Sequence, residues 1–297
     1  MSDVKLSVVL PAKNEASSIT KILPVLKAKL PNCEIVVVDD GSTDGTAEVA
    51  SAHGVRLVRH PYSMGNGAAV KSGARSARGE VLVFMDADGQ HDPDDVPELL
   101  RELDRGYDMV VGARGLADHA AAHRGIANLV FNWMASWMVN HRIADLTSGF
   151  RAVRADKFRR FLYLLPNAFS YPTTITMSFF RAGFRVAYVP VRMPPRNGRS
   201  HIRPLRDGVR FLLIIIKIGT LYSPLKLFLP ISATFFALGL GYYLYTYTTS
   251  YRFTNMSALL FIASILAFLI GIVSEQISAL MYRDSEVRRS DEPVSKK

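Results

Sequence analysis

Short apolar segments alternate with segments of helical periodicity through residues 1–205. The apolar segments lie at residues 6–10, 34–38, 55–58, 81–85 and 109–111, and each is followed by turn residues and a helical pattern. This alternation is typical of a mainly parallel sheet covered by helices. The sequence therefore predicts an α/β fold here, in which polar residues at the carboxyl ends of the strands share one crevice.

The C-terminal part of the chain is far more apolar. Residues 227–251 and 253–274 are nearly continuous apolar stretches, and Arg252 is the only charged residue from one to the other. Each stretch is long enough to cross the roughly 30 Å of hydrocarbon in a bilayer. Two buried helices of a soluble core are the alternative, and the lack of a polar stripe disfavours them. The pattern predicts a transmembrane hairpin.

Basic residues near the two stretches predict their orientation. They are Arg210, Lys217 and Lys226 before the first, and Arg283, Arg288 and Arg289 after the second. By the positive-inside rule both termini are cytoplasmic, and the N-terminus shows no signal-peptide pattern. The apolar run between Arg210 and Lys217 is too short to span and predicts an interfacial helix. The expected organisation is an α/β domain at 1–205, an interfacial amphipathic helix at 206–226, a two-helix hairpin at 227–280 and a cytoplasmic tail at 281–297.

Charge and cysteine content narrow the classes of partner. The net charge is +10, but seven arginines fall between Arg185 and Arg210, immediately before the first apolar stretch. Basic residues in that position typically meet anionic head groups or a phosphorylated lipid. No nucleic-acid-binding motif accompanies them, so the predicted partner is a membrane and not a nucleic acid. Cys33 is the only cysteine, which excludes an internal disulfide and a multi-cysteine zinc site.

Carboxylates at predicted strand ends are the candidate chemistry. Asp86 and Asp88 follow an apolar strand directly and lead into a glycine-containing loop. Hard oxygen ligands at this position suit a divalent metal bound to a nucleotide. Asp92 and Asp94 have the same spacing, but they open a predicted helix beside Pro93, where they have a capping role.

Two further groups near strand ends point to a nucleotide. Asp39 and Asp40 are adjacent carboxylates that repel each other unless they receive hydrogen bonds, and a base or ribose would supply donors. Lys71 lies one turn into the helix that follows Gly65 and Gly67, where it is a candidate partner for a diphosphate. A solvated helix lysine is the alternative for Lys71.

Four sequence motifs carry a resemblance to a known family. They are Val-Val-Leu-Pro-Ala-Lys-Asn-Glu at 8–15, Val-Val-Asp-Asp-Gly-Ser-Thr-Asp-Gly-Thr at 37–46, Met-Asp-Ala-Asp-Gly-Gln-His-Asp-Pro at 85–93 and Asp-Leu-Thr-Ser-Gly-Phe-Arg at 145–151. In this order they resemble family 2 glycosyltransferases of the GT-A fold, and more narrowly the dolichyl-phosphate mannose synthase-like polyprenyl-phosphate glycosyltransferases. The resemblance covers about residues 4–225. The two-span tail is similar to that of the bacterial polyprenyl-phosphate glucosyltransferases.

The resemblance implies roles for residues on the donor side. The nucleotide-sugar, a GDP- or UDP-sugar, would be bound by Pro11, Ala12, Asn14, Glu15, Asp39, Asp40, Lys71, Asp86 and Ala87. A Mg²⁺ or Mn²⁺ ion would be held by Asp86, Asp88 and Gln90. Such an ion neutralises charge on the departing nucleoside diphosphate, which makes Asp88 a candidate catalytic residue.

The acceptor side is expected to bind a lipid phosphate. The candidates are Arg114, Arg124 and Asn128, together with Arg199 and Ser200 in the loop at 196–201. The alternative for Asn128 is that it only packs inside the fold. The alternative for the loop is that it only binds head groups. Asp145 is a candidate catalytic residue that orients the nucleophile or a sugar hydroxyl. Its alternative is an Asp turn that holds Thr147 and Ser148.

The predicted function is metal-dependent, inverting transfer of a sugar from a nucleotide-sugar to a polyprenyl phosphate, dolichyl or undecaprenyl, by an enzyme of two membrane spans in a bacterial inner membrane. A polysaccharide synthase and a non-catalytic membrane scaffold with the same fold are the alternatives. The sugar, the base, the lipid and a homo-oligomeric state stay open.

Overall fold

A computed structural model describes residues 5–114, 132–167, 171–191 and 219–290 of the chain. The described residues form two compact units. The N-terminal unit reaches to Trp137 and resumes at His141, and the C-terminal unit combines Met138–Asn140 with the residues from 219 onward.

The described part of the N-terminal unit contains seven strands and, besides a 3-10 turn at Pro93–Asp95, seven helices. The strands are β1 (Leu6–Ala12), β2 (Glu34–Asp39), β3 (Arg56–Arg59), β4 (Val81–Phe84), β5 (Met109–Arg114), β6 (Arg151–Arg154) and β7 (Val186–Val191). The helices are α1 (Ala16–Lys29), α2 (Thr46–Ala52), α3 (Asn66–Ser76), α4 (Val96–Asp104), α5 (132–139, of which the last two residues belong to the C-terminal unit), α6 (Ala155–Arg159) and α7 (Tyr171–Arg181).

The strands form one sheet in the order β3-β2-β1-β4-β6-β5-β7. All neighbours pair in parallel except β6, which runs antiparallel between β4 and β5. Six strands therefore end at the same edge, which confirms the predicted mainly parallel α/β sheet. The pattern of apolar segments did not indicate β6, because its sequence places only two apolar residues between two arginines.

Apolar strands and small helix residues account for the packing. The strands β1 and β2 are buried along nearly their whole length, and the sheet's core includes Val8, Val36 and Val83. Helix α3 approaches β1 closely because Gly73 has no side chain, and a Cβ there would overlap Cγ1 of Val9. This close approach fixes α3 against β1 and β2.

Two long helices make up most of the C-terminal unit. Helix α8 (Pro224–Ser250) and helix α9 (Asn255–Ser290) are long and apolar enough to cross a membrane over 224–250 and 255–281. They are joined by reciprocal bonds, in which each hydroxyl of Ser232 and Ser264 donates to the other's carbonyl at 2.9 Å. Helix α9 continues to Ser290, so residues predicted as tail from 281 onward are helical there. The predicted interfacial helix at 206–226 lies largely outside the described residues, because its residues 206–218 are not among them.

Candidate functional site

Two loops at the carboxyl edge of the sheet are joined by hydrogen bonds. Asn14, in the left-handed backbone region at φ 56°, donates its N–H to Ser42 Oγ at 2.9 Å and accepts the N–H of Thr43 on Oδ1 at 2.9 Å. Glu15 donates its N–H to Thr46 Oγ1 at 3.0 Å. The predicted residues Pro11, Ala12, Asn14 and Glu15 therefore lie beside the end of β2, where Ala12 pairs with Asp39.

Asp39 is fully buried at the end of β2, and one of its oxygens has no hydrogen-bond donor among the described residues. Its Oδ1 accepts the N–H of Ser42 at 2.9 Å, whereas Oδ2 has no hydrogen-bond donor among the described residues. The nearest charge is Arg59 Nε, at 3.5 Å from Oδ2. A pocket of about 500 Å³ adjoins these residues, lined by Gly41, Ser42, Thr43, Arg59, His60 and Pro61. A buried carboxylate oxygen of this kind fits a ligand that brings its own N–H or O–H donor.

Asp40, in contrast, receives its donors from the protein. Its Oδ1 contacts His60 Nδ1 at 2.8 Å and accepts the N–H of Met64, and its Oδ2 accepts from Ser63 Oγ and the N–H of Gly65. Burial alone would raise the pKa of Asp40, but these hydrogen bonds outweigh it and hold the pKa below the ordinary value. Asp40 thus fixes the loop at 60–65, and nucleotide contact by Asp40 stays a prediction.

The carboxylates after β4 are partly exposed. The Asp86 side chain is 40% exposed and lies 3.4 Å from His91 Nε2 through its Oδ2. Asp88 Oδ1 accepts the N–H of Gln90 at 3.1 Å. Gly149 faces Asp86, and a Cβ there would lie 3.2 Å from Asp86 Oδ2. The small residue at 149 therefore keeps space beside the carboxylate.

These residues fit a metal that arrives with ligands of its own. Over the described ranges, no group of three or more His, Cys, Asp or Glu side chains is placed to hold an ion. Two carboxylates with a neighbouring amide, that of Gln90, suit Mg²⁺ or Mn²⁺ when phosphate oxygens and water complete the shell. Asp92 caps the following turn as predicted, because its Oδ1 accepts the N–H of Asp94 at 2.9 Å.

Arg114 and Asp145 form a partly buried ion pair. Arg114 donates from Nε to Asp145 Oδ2 at 2.8 Å and from a terminal nitrogen to Oδ1 at 3.2 Å. Asp145 also accepts the N–H groups of Thr147 and Ser148 and the hydroxyl of Thr147. Burial would raise the pKa of Asp145, but Arg114 and Thr147 hold it below the ordinary value. The Asp-turn alternative for Asp145 is the geometry that the structure shows.

Lys71 is also engaged inside the fold. Its ammonium donates to the carbonyl of Leu165 at 3.0 Å and to the side chain of Asn167. Burial, and then the charge of Arg75, lower the pKa of Lys71. A diphosphate contact by Lys71 stays a prediction. Four other predicted site residues, Arg124, Asn128, Arg199 and Ser200, lie outside the described part of the chain.

Sequence reasoning did not assign three residues that the structure brings to the site. His60 bridges Asp40 and Ser72, with Nε2 at 2.9 Å from Ser72 Oγ. His91 stacks on Phe150 beside Asp86, with ring centroids 4.9 Å apart. The available signals were weak, because His60 follows β3 without a motif and His91 reads as part of a loop.

Arg151 is the third of these residues and is fully buried. It donates to the carbonyls of Ser148 and Pro172 and to Thr176 Oγ1. Desolvation lowers the pKa of Arg151, and no carboxylate of the described residues lies within salt-bridge distance of its guanidinium to oppose this effect. Arg151 closes the 145–151 motif, so its place in the motif was the signal for a role. The contacts indicate that it fixes the turn carrying Gly149.

Two family models match the chain. Residues 7–186 match the model described as glycosyl transferase family 2, and residues 223–280 match the model described as GtrB C-terminal hairpin. The first match includes every described strand as far as the start of β7. The second coincides with the two apolar helices, which supports membrane association.

Curated relatives and solved structures agree with these matches. The undecaprenyl-phosphate mannosyltransferase of Micrococcus luteus is 31% identical over 64% of this chain and 83% of its own length. The polyprenol monophosphomannose synthase of Mycolicibacterium smegmatis is 29% identical over 64% of this chain and 77% of its own. The glucosyl-3-phosphoglycerate synthase of Mycobacterium tuberculosis, solved with Mn²⁺, UDP and glucosyl-3-phosphoglycerate, superposes with a TM-score of 0.56 at 25% identity, covering 72% of this chain and 78% of that one.

The family match spans more than half of the chain and includes the sheet on which the crevice is built. A GT-A fold with strand-end carboxylates is combined with two candidate membrane spans. The chain therefore belongs to glycosyl transferase family 2 and is a glycosyltransferase of the GT-A fold.

Proposed function

We propose that this glycosyltransferase transfers a sugar from a nucleotide-sugar to a polyprenyl phosphate, with inversion and with a divalent metal. The observation that carries the proposal is the presence, in one chain, of a GT-A crevice and a hairpin with two candidate membrane spans. An acceptor that is itself anchored in a bilayer accounts for both parts. The names of the relatives from M. luteus and M. smegmatis support this class of acceptor.

The donor side rests on the pocket beside β2. In this proposal the base donates to the Oδ2 of Asp39, which lacks a hydrogen-bond donor and lies 3.5 Å from Arg59 of the pocket lining. Pro11, Ala12, Asn14 and Glu15 are proposed to contact the nucleotide from the end of β1, which lies beside the end of β2. UDP in the M. tuberculosis neighbour is compatible with a UDP-sugar, and a GDP-sugar is the other candidate.

The metal is proposed to be Mg²⁺ or Mn²⁺, held by Asp86, Asp88 and Gln90. When bound, it would neutralise charge on the leaving diphosphate. The M. tuberculosis neighbour was solved with Mn²⁺, which supports this class of cofactor. The protein's part is to place the two carboxylates at the end of β4, with Gly149 keeping the space beside Asp86 open.

A phosphate acceptor also explains why Asp145 is paired. A phosphate monoester has a second pKa of about 6, so it is largely dianionic at neutral pH. Its attacking oxygen therefore needs no general base to remove a proton. The lipid phosphate oxygen attacks the anomeric carbon opposite the departing diphosphate. Asp145 then orients Arg114 and the turn at 145–148. Arg114, with Arg124, Asn128, Arg199 and Ser200, is proposed to bind the acceptor phosphate.

The proposed placement is a bacterial inner membrane with both termini cytoplasmic. Aromatic residues cluster where the two spans meet, including Tyr247, Tyr251 and Phe253, which are all strongly exposed. Tyr side chains favour membrane–water interfaces. This preference supports a turn between the two spans that lies at the membrane surface opposite the two termini. The domain organisation of 1–205, 206–226, 227–280 and 281–297 is proposed unchanged.

A donor panel tests the proposal. Membranes containing the full chain are incubated with labelled UDP- and GDP-sugars and polyprenyl phosphate, and the lipid product is isolated and its anomeric configuration determined. We expect labelled lipid of inverted configuration. Label in polymer would favour a polysaccharide synthase, and no label from any donor would favour a scaffold.

The metal assignment has a matched pair of variants. Asp88→Asn removes a proposed ligand, whereas Asp94→Asn changes an exposed carboxylate that is ion-paired with Lys29. We expect the first to lose at least about 100-fold in transfer, like a chelator-treated wild type, and the second to stay near wild type. Transfer by wild type and Asp94→Asn that is undiminished in chelator would remove the metal from the mechanism.

A further inference from the structure

His91 is a buried histidine whose ring faces one of the proposed metal ligands. The His91 side chain is 4% exposed, and its Nε2 lies 3.4 Å from Oδ2 of Asp86, whose side chain is 40% exposed. The imidazole therefore approaches the carboxylate from the protein side, whereas Asp86 itself opens to solvent. A polar ring that is buried beside a carboxylate is expected to form a hydrogen bond with it.

The surroundings of the ring assign the proton of the neutral imidazole. Nδ1 of His91 is buried and has no hydrogen-bond partner among the described residues. A proton on Nδ1 would leave a buried donor unsatisfied and would set the lone pair of Nε2 against the carboxylate oxygen. A proton on Nε2 instead donates to Asp86 and leaves only an acceptor unfilled. The ring is therefore arranged to donate to Asp86.

The plane of the imidazole is fixed by Phe150. The two rings are stacked, with centroids 4.9 Å apart and an angle of 22° between their planes. Phe150 is fully buried and lies against Gly112 of β5, where a Cβ would come within 2.6 Å of its Cδ1. The N–H of Gly112 also donates to the carbonyl of Phe150 at 2.9 Å. Strand β5 and the turn at 145–151 thus hold the ring whose nitrogen faces Asp86.

The residue on the other side of Asp86 leaves the carboxylate room to turn. A Cβ on Gly149 would lie 3.2 Å from Oδ2 of Asp86, 3.5 Å from Oδ1 and 3.3 Å from the hydroxyl of Tyr171. Because Gly149 has no such atom, packing at this position does not fix the carboxylate. The hydrogen bond from His91 opposes rotation of the carboxylate about its Cβ–Cγ bond.

We propose that His91 is a positioning residue for the divalent metal, because it holds Asp86 in the orientation in which the carboxylate serves as a ligand. His91 acts through Asp86 and does not itself bind the ion or the substrate. Hydrogen-bond partners of metal ligands orient those ligands, and their loss typically costs about 10–100-fold in metal affinity or activity. The inference rests on the metal in the proposed function.

A purely structural role is the rival explanation, in which His91 only fills space beside Phe150. Two substitutions separate donation from packing. His91→Phe keeps an aromatic ring for the stack but removes the N–H. His91→Gln loses the ring but keeps a donor, since its amide nitrogen lies as many bonds from Cβ as Nε2 of histidine does.

Two further substitutions complete the set. His91→Met has no donor and lacks the ring, so its comparison with His91→Gln tests donation independently of the stack. His141→Phe is the matched control, because His141 also stacks on a phenylalanine, Phe180, with ring centroids 5.3 Å apart.

The measurement is nucleotide binding, so that it does not depend on turnover. The full chain in detergent is titrated with labelled UDP, and separately with labelled GDP, in chelator and then over a range of Mn²⁺ concentrations. The result is the Mn²⁺ concentration that gives half of the metal-dependent nucleotide binding. The affinity in chelator and the Tm report whether the nucleotide pocket and the fold are intact.

We expect His91→Phe and His91→Met to raise the half-saturating Mn²⁺ concentration at least about tenfold, and His91→Gln to raise it by less than about threefold. The affinity in chelator should stay at its wild-type value in all of them. His91→Phe should keep its Tm within about 2 °C of wild type, because the stack on Phe150 is preserved. His141→Phe should match wild type in every measurement.

Two results would overturn the inference alone. A wild-type Mn²⁺ requirement in His91→Phe and His91→Met would show that His91 only packs beside Phe150. An equal rise in His91→Gln and His91→Met would show that the ring, and not the donated hydrogen bond, is what matters. Wild-type nucleotide binding that is indifferent to Mn²⁺ would instead remove the metal from the proposed function, and this inference with it.

Discussion

Arg114→Ala removes the cation that faces both oxygens of a buried carboxylate. The side chain of Asp145 is 7% exposed and that of Arg114 is 32% exposed. After the substitution, Oδ1 keeps the donors of Thr147 and Ser148, whereas Oδ2 keeps only the weak contact of the backbone N–H at 114, at 3.4 Å. The perturbation is therefore a buried charge that is half satisfied.

The expected cost follows from that count of donors. Breaking a fully buried ion pair costs about 3–5 kcal/mol, and the retained donors and the partial exposure of Arg114 reduce this to about 2–3 kcal/mol. For a domain of this size, about 2–4 °C in Tm accompanies each kcal/mol, so we expect a decrease of roughly 4–12 °C. Asp145→Asn should cost less, because the uncharged amide leaves a guanidinium that water can reach.

Thermal unfolding of the full chain in detergent, at one fixed scan rate, measures the effect on wild type, both single variants and the double variant. The double variant should be more stable than Arg114→Ala alone, because the neutral amide that replaces the carboxylate of Asp145 no longer needs the cation. A Tm for Arg114→Ala within about 1 °C of wild type would refute the reasoning, because the ion pair would then contribute no measurable stability.

The pH dependence has a defined sign. The folded pKa of Asp145 is below its ordinary value, so its contribution to stability is present above an unfolded pKa of about 3.9 and is lost as the pH falls through the folded pKa. In Arg114→Ala, burial dominates and protonation of Asp145 becomes favourable. The difference in Tm between the two proteins should therefore narrow as the pH falls from about 7 to about 4.

Three further changes have expected outcomes. Asp145→Asn should retain measurable transfer. The acidic limb of its pH–rate profile should follow the second ionisation of the acceptor phosphate at about pH 6, as in wild type. Abolished transfer with intact binding of both substrates would give Asp145 a chemical role. His60→Ala should lower the free energy of unfolding by about 2–3 kcal/mol and raise the donor KM more than it lowers kcat, because Asp40 loses a donor beside the pocket; recovery in His60→Gln would confirm the hydrogen bond as the cause. Gly73→Ala should lower Tm strongly, because its Cβ meets β1, whereas Gly241→Ala, whose Cβ meets nothing within 4 Å, serves as the unperturbed control.

The fold could be predicted from local pattern to the extent that each strand is an apolar run. The strands at 6–12, 34–39 and 81–84 follow from their valines and leucines. Strand β6 could not be found in this way, because Arg151 is buried through contacts with residues 21 and 25 positions away. Local periodicity carries no information about such contacts.

The candidate site shows the same division between local and long-range information. The sequence indicated that Asp39 and Asp40 both need donors, and the structure separates them: one buried oxygen of Asp39 has no hydrogen-bond donor among the described residues, whereas Asp40 is satisfied by His60 and the loop up to Gly65. Lys71 looked available from its position in α3, but its partners lie more than 90 residues away in the chain. Which donors a carboxylate or an amine meets depends on loop closure, which spacing alone does not reveal.

The position of β6 in the sheet constrains the order in which this protein can be completed during synthesis. Strands β4 and β5 leave the ribosome early, but each pairs with β6, which is made about 40 residues after β5. Until then β4 has one unpaired edge and β5, which also awaits β7, has two, and such edges can associate with other chains. The crevice therefore forms late, before the first apolar helix is translated. A delay in membrane targeting would prolong the time that the folded domain spends without its anchor. A delay in elongation before Arg151 would instead prolong the exposure of the unpaired strand edges.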